Sequence, residues 1–356
     1  MKSRLLYADI LRVSAVAAVV FLHAAAPSEY QFNSITHSWW WVANVFDSSS
    51  RWAVPVFIML SGMLLLDVSK TESASSFFRK RVNKVVVPFL VWSVVYSLWK
   101  VTKNGLLSHG QIQYSVIGFF VDLLRGNVYY HLGFFYYLIG LYLVTPILRV
   151  YIRNASNRNI LYFLLLWVFA TPLYGIIARF FHIGIAIQLP LATGFVGYFV
   201  LGHFLNSSDI RLKWRRLIYI VGIFSLLVTA YGTYFLTSSK GGTLDEYFHE
   251  YLTANVIGLS VAVFLVFKHI KWPRWISDES AASFSWRRFI VTLSGASLGV
   301  FVIHPIILEV LFDSHINYML IHPLLGIPIT AMATLIVSFA VVRIMQELPI
   351  VRRIVP

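Results

Sequence analysis

Long apolar runs alternate with short polar segments along the whole chain. The runs predict ten helices of about 20 residues, the length that crosses the apolar core of a bilayer. Continuous runs favour helices over a membrane β-barrel, whose strands show short alternating segments. The predicted spans are residues 5–26, 52–68, 85–103, 131–149, 160–179, 187–206, 216–237, 250–268, 289–312 and 322–344. The predicted fold class is therefore all-α, a polytopic membrane helical bundle in one domain over residues 1–356.

Lysine and arginine are distributed unevenly between the predicted loops. If the N-terminus is cytoplasmic, 22 of the 29 lie on the inner side and six on the outer side, with Arg12 inside the first helix. Such an excess is typical of cytoplasmic loops, so both termini are predicted to be cytoplasmic. The formal net charge of +14 is then explained by membrane topology, and no nucleic-acid partner is predicted.

Composition narrows the classes of protein further. The chain is 58% hydrophobic and 12% charged, a balance typical of membrane proteins and foreign to soluble domains of this size. It has no cysteine, which excludes thiolate catalysis and cysteine metal ligands, and no metal site is predicted. Lys2 and Arg4 before an apolar run suggest a signal peptide. Asp9 and Arg12 interrupt that run, so the first helix is expected to be retained.

The first predicted helix carries three ionisable residues, Asp9, Arg12 and His23. On insertion scales each costs roughly 2.5–3.5 kcal/mol in hydrocarbon, so their presence needs a reason. At about 100° per residue, the step from Arg12 to His23 returns to nearly the same helix face. Asp9 is three positions before Arg12, where an ion pair can form. The helix is therefore predicted to turn one polar stripe towards the bundle interior.

The second inner loop is the most basic segment of the chain. Its cations include Arg79, Arg81 and Lys84. One interpretation is an interfacial helix that meets anionic lipid. The other is a phosphate clamp, since arginine offers paired donors and lysine a point charge to phosphate oxygens. Coenzyme A is the cytoplasmic ligand with several phosphates, and spacing alone leaves both interpretations open.

Two long outer segments differ in character. Residues 27–50 are rich in Trp, His and Ser and are predicted as a loop, with Trp39, Trp40 and Trp41 at the membrane interface. Residues 104–130 are predicted to contain a short amphipathic helix over about 114–124.

Four further residues are notable within apolar surroundings. Gly62 is a candidate for a close helix crossing, the usual role of small residues in membranes. His131 begins a span near the outer surface and is either an interfacial anchor or part of a site. His304 and Glu309 lie in the outer half of the ninth span, where Pro305 is expected to kink the helix. Since they are five residues apart, a direct pair between them depends on that kink.

Several motifs, in their order and spacing over nearly the whole chain, resemble the acyltransferase type 3 family of integral membrane acyltransferases. Two positions differ from the family pattern, since Lys84 replaces an arginine and Gly133 replaces a tryptophan. The matching segments are Arg12 and His23 in the Arg-x10-His signature, Pro55 to Gly62, Arg81 and Lys84 in the Arg-x-x-Arg pair, His131 to Phe134, and Ser294 to Pro305.

The resemblance implies acyl transfer, most often of acetyl, from a cytoplasmic acyl-coenzyme A such as acetyl-CoA. The implied acceptor is a hydroxyl of an extracytoplasmic glycan or a lipid-linked saccharide. Without a fused soluble domain, the chain is most similar to the polysaccharide and common-antigen O-acetyltransferases. The implied location is the bacterial cytoplasmic (inner) membrane, in contact with membrane lipid, and the homo-oligomeric state is left open.

A mechanism can be assigned to the predicted site residues. A hydroxyl that attacks a thioester needs a base, and imidazole has the side-chain pKa nearest neutrality, so His23 is the predicted general base. Arg12 lies about 16 Å deeper by helical rise and is assigned, with Asp9, to donor holding or site orientation. Coenzyme A held by Arg79, Arg81 and Lys84 would extend its thioester towards His23. His131, His304 and Glu309 are candidate acceptor-side residues.

Two other function classes use the same residues. In a proton-coupled transporter or flippase of a glycan or lipid, Asp9, Arg12, His23 and Glu309 would form a relay. A membrane sensing module would have no catalysis. The family resemblance favours the enzyme.

Overall fold

The computed structural model describes residues 5–69, 72–108, 115–184, 186, 189, 192–273 and 281–355, with backbone alone at 104–108 and 281–284. Within these ranges the chain is helical and has no β-strand. Nine helical segments of the described chain are long and apolar enough to cross a membrane. The predicted all-α multi-pass bundle is therefore confirmed.

The helices are numbered here in chain order. A π-helical turn at Val82–Val86 joins α4 to α5, and another at Phe169–Leu173 joins α8 to α9. The helices are α1 (Leu6–Glu29), α2 (His37–Ser50), α3 (Ala53–Leu65), α4 (Ala74–Arg81), α5 (Val87–Ser108), α6 (Val116–Arg125), α7 (Gly133–Asn154), α8 (Asn157–Val168), α9 (Tyr174–Phe181), α10 (Val196–Ser207), α11 (Leu212–Ser239), α12 (Ala254–His269), α13 (Ala281–Asp313) and α14 (Pro323–Glu347).

The sixth predicted span is represented by the 12-residue helix α10. Four residues at the start of that span lie outside the described ranges. Arg179 near the end of α9 ion-pairs with Asp245, in the segment that contacts Tyr30 at the end of α1. Asn206 near the end of α10 accepts a hydrogen bond from Tyr7 at the start of α1 (2.5 Å). Since these contacts lie at opposite ends of α1, the end of α9 and the end of α10 lie on opposite sides of the bundle.

The prediction of a loop over residues 27–50 is wrong. Helix α1 continues to Glu29, and α2 covers most of the remainder and leads into α3. Trp40, predicted at the interface, is fully buried. Its buried neighbours on α2 recur at helical spacing and include Asn44 and Asp47. The low hydropathy that suggested a loop therefore belongs to polar side chains that face the bundle interior.

The short amphipathic helix predicted near residues 114–124 is confirmed as α6. The Ser115 hydroxyl accepts a hydrogen bond from the Gly118 amide (2.9 Å) and so caps the first turn. Gly126, in the left-handed region with φ 77°, ends the helix. Local capping signals therefore define this element at both ends.

Helix α1 occupies the centre of the bundle. It packs against α2, α3, α12, α13 and α14. Its polar residues face α13, where Arg12 contacts Ser294 and His23 contacts His304. The predicted inward polar stripe is thereby confirmed.

Two glycines permit the close crossing of α3 and α10. A Cβ atom on Gly62 would lie 1.8 Å from the carbonyl oxygen of Phe199, and one on Gly202 would lie 2.0 Å from that of Met59. Both neighbours are backbone atoms, which cannot rotate away. The role predicted for Gly62 is confirmed.

Gly62→Ala is expected to destabilise the protein by about 3 kcal/mol, since the added methyl must push the two helices apart. Gly140→Ala is the matched control, because a Cβ there meets nothing within 4 Å and alanine favours a helix. Thermal unfolding in one detergent compares the two variants. Equal melting temperatures would contradict the close-crossing role.

The topology prediction can be tested directly because the chain has no cysteine. Asn33 donates a hydrogen bond to the Gly241 carbonyl (2.8 Å), so the first and the α11–α12 outer segments meet at one end of the bundle. Single cysteines at Asn33 and Ser239 are expected to react with an impermeant reagent from outside. Cysteines at Arg81 and Arg216 are expected to react only after the membrane is opened. Outside labelling at position 81 would contradict a cytoplasmic basic segment.

Candidate active site

A cavity of about 400 Å³ lies between α1, α3, α7, α13 and the basic segment that follows α4. Leu65, Tyr142 and Ser294 mark the end nearest the basic segment, and the cavity continues along about two turns of their helices. Its lining residues are Arg12, Phe57, Ser61, Leu64, Leu65, Arg81, Lys84, Val85, Phe134, Leu138, Tyr142, Ser294, Gly295, Ser297, Leu298 and Phe301. The cavity is therefore cationic at one end and apolar along its length.

Three phenylalanine rings form the deep end of the cavity. Phe134 and Phe301 have ring centroids 5.1 Å apart, and Phe57 lies 6.1 Å from the first and 6.3 Å from the second. The Phe301 ring also lies 5.8 Å from His131 and 5.9 Å from His304. A single layer of aromatic side chains therefore separates the cavity from two histidines.

Two of the three predicted phosphate ligands line the cavity. Arg81 ends α4 and Lys84 lies in the π-helical turn that follows, an irregularity often found at functional sites. The Arg81 guanidinium lies 5.5 Å from the Phe77 ring centroid, and its buried Nε has no hydrogen-bond partner among the described residues. Arg79 is exposed and does not line the cavity.

Glu72 organises the neighbouring charges. Its carboxylate binds Lys80 (2.7 Å) and lies 3.8 Å from Arg149. The hydrogen bond to Lys80 holds the pKa of Glu72 below its usual range. Of the three cations that line the cavity, Arg12 contacts Asp9, whereas Arg81 and Lys84 form no ion pair within the described part of the chain and are available to an anionic ligand.

The predicted contact between Asp9 and Arg12 is present and includes a serine. The Arg12 Nη1 and Asp9 Oδ1 atoms are 3.9 Å apart. Ser294 on α13 donates to Asp9 Oδ1 (2.7 Å) and accepts from Arg12 Nη1 (3.2 Å). Ser294 was not predicted as a site residue, although it begins a Ser-Gly-Ala-Ser run unusual in an apolar helix. This triad fixes Arg12 at the wall of the cavity.

The structure brings together three predicted histidines from three different helical segments. The rings of His23 and His304 are stacked, with centroids 5.3 Å apart and an interplanar angle of 21°. His131, in the short helix before α7, lies 5.8 Å from His304. His131 and His304 are buried, whereas His23 is half-buried beside Tyr130. The interfacial-anchor interpretation of His131 is therefore wrong.

The hydrogen bonds of His304 fix which ring nitrogen carries the proton. Its Nδ1 lies 2.7 Å from the Phe301 carbonyl oxygen and 3.3 Å from that of Val300. Carbonyl oxygens only accept, so Nδ1 must be the protonated nitrogen of a neutral ring. Nε2 then keeps its lone pair, and no described atom bonds to this buried nitrogen.

Glu309 belongs to a separate outer network. It accepts hydrogen bonds from Trp99 (3.0 Å), Lys103 (2.8 Å) and Tyr129. Helix α13 is continuous past Pro305, and His304 bonds to its own backbone. The described contacts therefore give no direct pair between His304 and Glu309. Tyr129 links this network to the histidines, since its ring lies 5.7 Å from His131.

A buried charge cluster near the outer end of α1 was missed by sequence reasoning. Arg51 makes a two-pronged ion pair with Asp47, and the Asp47 side chain is fully buried whereas that of Arg51 is 12% exposed. Glu29 and His249 are also buried beside them, and Glu29 Oε1 has no described hydrogen-bond partner. Glu29 and Asp47 fell in the segment predicted as a loop, so their burial was not expected.

Arg51 supplies the positive charge of this cluster. Ligand atoms of Glu29, Asp47 and His249 lie within 4.8 Å of one another, a separation that suits a metal ion. The Arg51 Nη2 atom lies 3.1 Å from His249 Nδ1 and 2.8 Å from Asp47 Oδ2. A divalent ion about 4 Å from that guanidinium would be repelled by about 8 kcal/mol at an effective dielectric of about 20. The geometry therefore favours a salt-bridge cluster over a metal centre.

The architecture defines a multi-pass helical membrane protein with a cavity that is cationic at one end and has three histidines beside the other. A family model described as an acyltransferase domain matches residues 5–343, nearly the whole chain. The chain belongs to this family, acyltransferase type 3, and is a membrane acyltransferase, as its motifs predicted. Comparisons with curated proteins and with solved structures give no match.

Proposed function

We propose that this acyltransferase moves an acetyl group from cytoplasmic acetyl-CoA to a hydroxyl of an extracytoplasmic or lipid-linked glycan. The bacterial cytoplasmic (inner) membrane is its proposed location. His23 is the general base, and Arg81 and Lys84 bind the phosphates of the donor. Arg12, held by Asp9, lies along the path of the donor.

One observation carries this proposal: the cavity has cations at one end and histidines behind the other. Arg81 and Lys84 offer guanidinium and ammonium donors that suit phosphate oxygens. The apolar walls from Leu65 to Phe301 suit the pantetheine arm. The rise from Arg12 to His23 is about 16 Å, comparable with that arm when extended. A donor bound this way presents its thioester to the histidines.

The acceptor approaches from the opposite end of the bundle. His23 lies beside Tyr130, whose side chain is 55% exposed. Glu309 and Trp99 lie nearby on the same side and offer the carboxylate and aromatic groups that bind sugars. His131 and His304 complete the wall between donor and acceptor. Arg79 is exposed and contributes to donor attraction through its charge alone.

Arg81→Gln and Lys84→Gln are each expected to weaken acetyl-CoA binding by about 10- to 100-fold, since each removes a charge-assisted hydrogen bond. Binding of acetyl-pantetheine, which lacks the nucleotide phosphates, is expected to change little. Titration calorimetry in one detergent measures both ligands. Arg153→Gln is the control, because Arg153 is an exposed cation at the same end of the bundle.

Two results would count against phosphate binding at this segment. The first is unchanged acetyl-CoA affinity in the Arg81→Gln and Lys84→Gln variants. The second is an equal loss with acetyl-pantetheine, which would indicate damaged folding. Unchanged acetyl-CoA affinity would favour the interpretation that the basic segment binds anionic lipid.

A further inference from the structure

We propose that His304 is a nucleophile that carries the acetyl group as an acyl-imidazole between donor and acceptor. This inference rests on the proposed function and adds a covalent step to it. His23 remains the base for the acceptor hydroxyl. The two stacked rings would then divide the reaction into two half-reactions.

His304 lies directly behind the deep end of the donor cavity. It follows Phe301 by one turn of α13, and the two ring centroids are 5.9 Å apart. Phe301 lines the cavity, whereas the described lining does not include His304. A shift of the Phe301 side chain would therefore connect a thioester in the cavity with the His304 ring.

The lone pair of His304 Nε2 is held ready for attack. The Phe301 carbonyl binds the proton on Nδ1, so the ring cannot place a proton on Nε2 without losing that bond. A buried polar atom without a partner is uncommon and needs an explanation, such as a catalytic role. His131 is equally buried, but neither of its ring nitrogens has a described bond that fixes the tautomer.

The first half-reaction balances with these groups alone. Nε2 attacks the carbonyl carbon of the thioester, the N–C bond forms, and the C–S bond breaks. Coenzyme A leaves with the electron pair as a thiolate, which takes a proton from cytoplasmic solvent. The product is a cationic acyl-imidazole whose Nδ1 proton stays between the Phe301 and Val300 carbonyl oxygens. These two dipoles stabilise its positive charge.

The second half-reaction returns both histidines to their starting state. The acceptor hydroxyl attacks the acetyl carbon while His23 takes its proton. The bond from the acetyl carbon to Nε2 breaks, and the electron pair returns to His304. His23 then releases the proton to solvent on its half-buried side. The position of His23, stacked on His304 and beside the exposed Tyr130, suits this order.

Burial protects such an intermediate from hydrolysis. His304 has no exposed surface, and its aromatic neighbours Phe301, His131 and His23 surround the ring. Water excluded from an active site cannot intercept a reactive acyl group. An acetyl group on the more exposed His23 would lack this protection.

Isotope exchange tests the covalent step without an acceptor. Purified protein in liposomes is given unlabelled acetyl-CoA and labelled coenzyme A, and formation of labelled acetyl-CoA is followed. The wild type is expected to exchange. His304→Asn is expected to lose exchange, because the amide nitrogen can replace Nδ1 at the Phe301 carbonyl but nothing replaces Nε2. His23→Gln is expected to keep exchange and to lose transfer to a membrane glycan extract.

Controls separate chemistry from folding and from donor binding. His203→Gln changes a buried histidine that is not part of the cavity lining and is expected to exchange normally. Melting temperature and acetyl-CoA affinity are measured for every variant. If His304→Asn does not fold, the wild type is quenched during the reaction and the site of acetylation is located by mass spectrometry. The acetyl group is expected on the peptide that contains His304.

Two results would overturn the inference and leave the proposed function intact. One is transfer to glycan by wild type without acceptor-free exchange, and the other is normal exchange by His304→Asn. Failure of the wild type to bind acetyl-CoA would overturn the proposed function and this inference together.

Discussion

His23→Gln is expected to lower acetyl transfer to glycan by about 10²–10⁴-fold while folding and acetyl-CoA affinity stay near wild type. Glutamine keeps a polar side chain but cannot accept a proton at neutral pH. The His23 ring forms no hydrogen bond with the described residues and is half-buried, so the substitution breaks no polar contact. Transfer rate, melting temperature and donor affinity are measured in one detergent.

Arg12→Lys provides the internal comparison. It keeps the positive charge but loses the planar guanidinium that meets Ser294 and the cavity. Arg12→Lys is expected to weaken the affinity for acetyl-CoA, whereas His23→Gln is expected to lower the rate of transfer. A folded and fully active His23→Gln protein would end the assignment of His23 as general base.

Arg51→Gln is expected to destabilise the protein by about 3–5 kcal/mol, because it leaves a buried carboxylate pair without its cation. Asp47 loses both of its hydrogen bonds from the guanidinium, and Glu29 already has an oxygen without a described partner. His249 loses the donor at its Nδ1 atom. The free energy of unfolding, measured with denaturant in one detergent, tests this.

An ion pair with an exposed lysine, at the same end of the bundle, is the matched control. Lys240 binds Asp245 at 2.6 Å, but its side chain is 49% exposed and Arg179 also contacts that carboxylate. Lys240→Gln is expected to cost less than about 1 kcal/mol. The double variant Arg51→Gln with Asp47→Asn should be more stable than Arg51→Gln alone, because Asp47→Asn removes the buried negative charge that Arg51→Gln leaves without a cation. Equal effects of Arg51→Gln and Lys240→Gln would contradict the buried cluster.

Patterns along the chain were sufficient to predict most of the fold. Apolar runs of bilayer length predicted the spans, and the step from Arg12 to His23 predicted a polar face that meets α13 at Ser294 and His304. Gly62 was recognisable as a close crossing because small residues have few other roles in a membrane helix. These signals are local in the sequence, so they can be interpreted without knowing how the helices pack.

The errors have one physical cause. Helix α2 is polar because Asn44 bonds to α11 and Asp47 pairs with Arg51 in the charge cluster, and hydropathy cannot distinguish such a face from a loop. Partners such as Ser294 and His249 come from distant segments. Their roles depend on tertiary contacts that no local pattern encodes.

The candidate site shows the same division. His23, His131 and His304 were each recognisable as polar residues in apolar spans, but their assembly required the packing of three segments. Arg81 and Lys84 were predicted together with Arg79, but only Arg81 at the end of α4 and Lys84 in the turn that follows line the cavity. The sequence therefore predicted the candidate residues, and tertiary packing determines which of them lie together.

A structure of the protein with coenzyme A bound, determined by electron cryomicroscopy in a lipid nanodisc, tests the central claim most directly. The nucleotide phosphates are expected to contact Arg81 and Lys84, and the pantetheine arm is expected to occupy the cavity beside Arg12. The sulfur atom is expected next to Phe301, facing His304 and His23. Coenzyme A bound elsewhere, or with its sulfur outside this cavity, would contradict the proposed donor site.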